Sequence, residues 1–315
     1  MREPHALHDG ARPRMTAPTG IHCVLYAFFD RAGALDRGAM RAQVDCVLEM
    51  GVDGIAVLGL ATEVGKLSPI EARDVIAWAA QDIAGRCPLA VTVAGDSVRA
   101  QREMLLQAVE CGATGVIVQP PRPALPDAAA LADHFAKVGR DAGVAVGIQN
   151  APQFLAQSLS AEETAALSAR MPELAFVKAE GNAVDLAELV ARISPRLACL
   201  GGRGGLEMTD CLRVGASGFV LAPDAVDHAC CVLDLWRRGE TEAAEAAHAE
   251  VLPALVFMMQ SIDHLICYGK RIFAARAGLS VHDRAPALAP SDAGLDLALR
   301  WAGRLGPIRA RTGAA

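Results

Sequence analysis

Along most of the chain, short apolar runs alternate with amphipathic stretches at roughly 20 to 35 residue spacing, the rhythm of a parallel sheet covered by helices. The runs at 21–29, 54–59, 89–94, 115–119, 144–149, 174–178, 197–200 and 218–222 read as strands. Eight such units close a barrel, so the expected fold class is α/β, a (β/α)8 TIM barrel with a C-terminal helical extension. A weak internal repeat agrees: GVDGIAVLG from Gly51, GATGVIVQP from Gly112 and GASGFVLAP from Gly215 each set G-x-x-G before an apolar strand. The first glycine suits a helix C′ position and the second a tight start to the strand.

After Asp224 the rhythm stops. Helical stretches are expected over 225–237, 240–267 and 268–277, with Leu252, Leu255, Met259 and Ile262 at helical spacing. The expected organisation is a mobile N-terminal tail over 1–19, a barrel core over 20–224, and barrel-closing and C-terminal helices over 225–315.

Composition narrows the function classes. The chain has 315 residues, 52% of them hydrophobic, enough for one large core. Its net charge of −6 disfavours nucleic acid or an anionic membrane, which leaves a small molecule as the expected partner. The nine cysteines are scattered, with no CxxC, and fit reduced thiols buried as small hydrophobes in a cytoplasmic protein. Residues 1–19 lack the apolar stretch of a signal peptide. The apolar run around 251–259 carries Pro253 and falls short of the roughly 20 residues that span a bilayer. Histidines and acidic residues show no metal-ligand spacing, so neither a metal nor another cofactor is expected.

Only Lys66, Lys137, Lys178 and Lys270 are lysines, so each can be judged singly. Lys178, in LAFVKAEG, follows a buried strand and is expected at the C-terminal mouth, where barrel active sites lie. Desolvation there favours the neutral amine, which can attack a ketone. The plainer reading is a structural lysine paired with a carboxylate, and the other three read as surface charges. Glu180, two residues on, shares the face of Lys178. It either moves a substrate proton or only offsets the lysine charge.

The turn GLATEVGKLS from Gly59 offers the amides of Ala61 and Thr62 to a carboxylate, unless it is simply a capped loop. GGRGGLE from Gly201 follows the seventh strand; Gly202 permits close approach of a ligand, and Arg203 either grips its distal end or is an exposed loop residue. Val220 on the eighth strand is a further lining candidate.

Taken in order, Gly59-Leu-Ala-Thr-Glu63, Pro120-Pro121, Gln149-Asn-Ala-Pro152, Lys178 and Gly201-Gly202 resemble the dihydrodipicolinate synthase and N-acetylneuraminate lyase superfamily, from about Gly20 to Leu305. The resemblance implies a barrel with a C-terminal helical region, commonly a homotetramer, whose sixth-strand lysine forms an imine with a pyruvate-like group. Departures are visible. G-L-A-T-E stands for the usual G-T-T-G-E, and Gln149 for the usual shuttle tyrosine. Arg122 or Pro123 stands for a second tyrosine, and Phe154 lies near where an arginine is usual. The Q-N-A-P run and the K-x-E of Lys178 and Glu180 are similar to 2-keto-3-deoxy-arabonate dehydratase-like members.

That similarity implies catalysis by Lys178 and Glu180 on a 2-keto-3-deoxy sugar acid, with Gln149 and Asn150 holding hydroxyls or water. Three other readings stay open: an aldolase or synthase using the same enamine, a retired ligand-binding barrel, and a phosphosugar enzyme using Gly201 to Gly205. Of the two tyrosines, Tyr26 could replace a missing shuttle or turn into the helix layer.

Overall fold

The computed structural model describes residues 17–311, and residues 1–16 of the expected tail lie outside them. Eight parallel strands close a barrel in chain order: β1 (Gly20–Val24), β2 (Gly54–Val57), β3 (Leu89–Val93), β4 (Gly115–Val118), β5 (Ala145–Asn150), β6 (Leu174–Ala179), β7 (Ala198–Gly201) and β8 (Gly218–Leu221). The outer layer is α1 (Arg37–Glu49), α2 (Pro69–Ile83), α3 (Val98–Glu110), α4 (Ala128–Gly139), α5 (Ala161–Arg170), α6 (Ala183–Ile193), α7 (Met208–Arg213) and α8 (Val226–Arg237). Then come α9 (Thr241–Met258), α10 (Ile262–His264), a π turn (Leu265–Gly269), α11 (Lys270–Ala277) and α12 (Asp292–Leu305). The expected barrel and helical extension are both present. Among the described residues no single helix is long and apolar enough to cross a membrane.

Side-chain alternation decides what fills the barrel. On β6 the inward positions are Phe176 and Lys178, with Glu180 next in phase. Gly147 lies opposite Phe176, and a Cβ there would come within 2.3 Å of the ring. Gly201 makes the same allowance for Phe219, at 2.6 Å. Two aromatic rings thus occupy the space of missing side chains, and Lys178 stands one layer above Phe176.

Three elements differ from expectation. β1 ends at Val24 rather than reaching 29, because the Gln43 side chain takes over from the ladder: it accepts from Tyr26 N and donates to Tyr26 O, both at 2.9 Å. The helix expected over 240–267 breaks after Met258, and the chain turns by 103° into the next helical segment. Ser261 caps that segment by accepting from His264 N at 3.0 Å. The helix α12 lies beyond the three expected stretches; its buried stripe is Gly294, Ala298, Ala302 and Leu305. As for the thiols, Cys23, Cys199, Cys211, Cys230 and Cys267 are buried, whereas Cys231 is exposed.

Candidate active site

The inward phases of β4, β5 and β6 bring three polar side chains together at the C-terminal mouth. Gln119 Nε2 donates to Gln149 Oε1 at 2.8 Å, and Gln149 Nε2 donates to Glu180 Oε2 at 2.5 Å. The other carboxylate oxygen, Oε1, lies 3.4 Å from Lys178 Nζ. Lys178 and Glu180 are 6% and 7% exposed, so their attraction acts with little solvent screening. Each carboxylate oxygen therefore has its own partner, and the amide chain fixes the carboxylate beside the amine.

Lys178 and Glu180 open into one cavity with Ala61, Arg203 and Val220, all of them expected there. The rest of its wall is mainly apolar, including Val24, Met208, Leu255 and Leu265. Gly202 is required by the packing: a Cβ on it would lie 2.6 Å from Glu180 Cγ and 2.9 Å from Oε1. Leu60 separates this cavity from a polar recess lined by Glu63, Lys66, Asp96, Gln119 and Arg122.

Other expected residues are occupied elsewhere. Thr62 N–H is used inside its own turn, donating to Gly59 O at 3.0 Å, and its hydroxyl donates to Leu25 O at 2.6 Å. Its amide is thus not free for a carboxylate. Asn150 closes the loop after β5, with Nδ2 donating to Leu159 O and Oδ1 accepting from Leu159 N, both at 2.8 Å. The Arg203 guanidinium reaches the cavity but pairs with Glu207 at 2.6 Å. Tyr26 is not among the residues that line the cavity but bonds one that is: its buried hydroxyl donates to Asp224 Oδ1 at 2.7 Å, close against Gly269 of the π turn.

The lysine reading needs the largest correction. Lys270 is 1% exposed and pairs with Glu63, whose other oxygen holds Lys66 at 2.5 Å. Neither is an ordinary surface charge. Burial pushes the Lys270 ammonium down in pKa, and Glu63 pulls it partly back. Glu63 itself has φ 57, as Leu58 has φ 61 and Arg203 φ 51. Left-handed non-glycine backbone thus falls at the ends of β2 and β7, and such strain collects at functional sites. Among the described residues no three His, Cys, Asp or Glu side chains converge to hold a metal.

A family model, the dihydrodipicolinate synthetase family, matches residues 17–292. The chain belongs to this family. Curated relatives include a 4-hydroxy-tetrahydrodipicolinate synthase of Xanthomonas campestris, 31% identical over 72% of this chain and 76% of that one. An L-2-keto-3-deoxyarabonate dehydratase of Azospirillum brasilense is 27% identical over 75% and 78%. Among solved structures, a dihydrodipicolinate synthase from Thermotoga maritima superposes with TM-score 0.85 at 18% identity, over 91% of this chain and 98% of that one. A family member from E. coli K12, solved in complex with pyruvate, gives 0.84 at 22% identity over the same shares. As a member of the family, the chain is a lyase of the class I aldolase type acting on a small keto acid.

Proposed function

We propose that the chain dehydrates a 2-keto-3-deoxy sugar acid through an imine on Lys178. The observation that carries this reading is the clamped Gln149–Glu180–Lys178 constellation, whose Lys178 and Glu180 line a mainly apolar cavity. Lys178 adds to the C2 ketone and water leaves, giving an iminium that draws electrons from C3. Glu180, held by Gln149, takes the C3 proton, and the resulting enamine expels the C4 hydroxyl. The substrate carboxylate rests near Ala61, while Gly202 and Val220 leave room beside the reacting carbons. The hydroxylated end faces Arg203 or the polar recess past Leu60. The dehydratase among the relatives supports this choice, as does the supply of polar groups in that recess. Aldol chemistry from the same enamine is the second reading, favoured by the synthase names of other relatives. By family resemblance the working assembly is a homotetramer.

The test is to incubate the enzyme with 2-keto-3-deoxypentonic acids in D2O and follow the products by NMR. Loss of water without carbon–carbon cleavage supports dehydration; release of pyruvate favours the aldolase; no reaction and no imine with any keto acid leaves a binding barrel. Two variants probe Glu180. Glu180→Gln is expected to keep imine formation while slowing C3 deuterium exchange about 100-fold, the scale of lost general-base catalysis. Gly202→Ala should push Glu180 off its position and slow turnover by up to about 100-fold, as small misplacements do. Undiminished exchange in Glu180→Gln would assign the C3 proton to another base.

A further inference from the structure

Expulsion of the C4 hydroxyl needs a proton donor, and the groups named so far do not provide one. Glu180 is committed to the C3 proton. Of the other titratable side chains on the cavity wall, Arg203 is paired with Glu207, and His248 has both ring nitrogens engaged, with Gly205 O at 2.8 Å and Thr209 Oγ1 at 3.4 Å. Asp224 remains. It lies in the short 3-10 turn Pro223–Ala225 directly after β8, is 5% exposed, and lines the cavity that holds Lys178 and Glu180.

Among the described residues no cation forms an ion pair with the Asp224 carboxyl group. The nearest guanidinium, Arg276, gives its charge to Asp227, at 2.6 and 3.1 Å, and meets Asp224 only at the backbone oxygen, at 2.8 Å. Among the described residues, the one side chain hydrogen-bonded to the carboxyl group is Tyr26, whose hydroxyl donates to Oδ1. A buried carboxyl group without a counter-charge is held more readily as the neutral acid. Burial accordingly raises the Asp224 pKa above the usual carboxylate range, against the opposing pulls of Tyr26, its own backbone amide and the more distant charge of Arg276. Proton transfer between C3 and Glu180 leaves this buried pair with no role.

We infer that Asp224 is the general acid that delivers a proton to the departing C4 oxygen, with Tyr26 as its positioning residue. The inference rests on the dehydration reading given above. As the enamine forms, Glu180 holds the proton from C3. The nitrogen lone pair then re-forms the C2=N bond, the C2=C3 electron pair moves to form C3=C4, the C4–O bond breaks, and the oxygen takes the Asp224 proton and leaves as water. A conjugated iminium remains on Lys178, and its hydrolysis releases an unsaturated keto acid. Asp224 has lost one proton and Glu180 has gained one, so transfer through water in the cavity resets both without any outside reagent.

The test separates the two proton steps. Asp224→Asn keeps the shape and can still accept from Tyr26, but it has no acidic proton. With pyruvate, which has no C4 hydroxyl, methyl deuterium exchange and borohydride trapping in this variant are expected to stay within about threefold of the parent. With 2-keto-3-deoxypentonic acids, water loss is expected to fall about 100-fold. Tyr26→Phe is expected to lower kcat about tenfold with little change in KM. Undiminished dehydration in Asp224→Asn would overturn the assignment alone. Parallel loss of exchange and dehydration would overturn it too, leaving Asp224 a purely structural residue. Absence of dehydration in the parent, with exchange intact, would remove this inference together with the dehydratase reading.

Discussion

Replacing Lys178 with alanine is expected to abolish the adduct that borohydride forms with keto acids and to lower turnover by about 10⁴-fold or more, the scale at which loss of a covalent nucleophile is felt. The expectation follows from position. Lys178 carries the amine nearest Glu180, 6% exposed, on the inward face of β6 in a cavity with largely apolar walls. An imine forms from a neutral amine, and a site that excludes water also protects the imine from early hydrolysis. The fold should survive, because Gln149 still donates to Glu180 when the ammonium is gone. Intact and peptide mass spectrometry after reduction with pyruvate reads the outcome directly. A reduced adduct persisting in Lys178→Ala would place the nucleophile elsewhere, and the buried, Glu63-paired Lys270 would be the lysine to examine next.

How far the sequence predicts this site depends on the range of each interaction. The strands were legible because each is a local apolar run with turn residues at its ends, and a closed barrel follows once eight such runs alternate with helices. The pairing of Lys178 with Glu180 was legible too, since a two-residue spacing on a strand fixes a shared face whatever the rest of the chain does. Gln149 stands beside Lys178 in the β5–β6 register, so its arrival at Glu180 depends on which strands are neighbours.

What stayed hidden depends on partners distant in sequence. Tyr26 and Asp224 are separated by 198 positions, and Glu63 and Lys270 by 207. Neither member of either pair carries a local mark of its fate. Asn150 and Thr62 have their side chains engaged with backbone for a different reason. Short polar side chains next to a turn readily bond to nearby backbone, and both do so here, with Leu159 and Leu25. Gln119 had a faint signal in its place just before Pro120-Pro121, the motif that ends its strand. Its role becomes visible only when Gln149 is seen to accept its amide proton.

The buried charges at Glu63 make the second large prediction. Lys270→Met is expected to destabilise the fold by about 3 kcal/mol, the lower end of the range for breaking a buried ion pair. The lower end applies because Lys66, 2.5 Å from the other oxygen, still offsets the Glu63 charge. Lys66→Met should cost less than Lys270→Met, since its side chain is 14% exposed against 1% for Lys270 and Glu63 keeps Lys270. Glu63→Gln is the more damaging partner change. It leaves the Lys270 ammonium, 1% exposed, with only Asp283, itself paired with Arg271, to offset burial, and that ammonium sits at the junction of the β2 turn with the start of α11. Urea unfolding midpoints at constant m-value would rank the three variants. Equal losses for Lys270→Met and Lys66→Met would mean that burial does not set the difference. The double variant Glu63→Gln/Lys270→Met should recover part of the loss, because it removes both the orphaned cation and its missing partner.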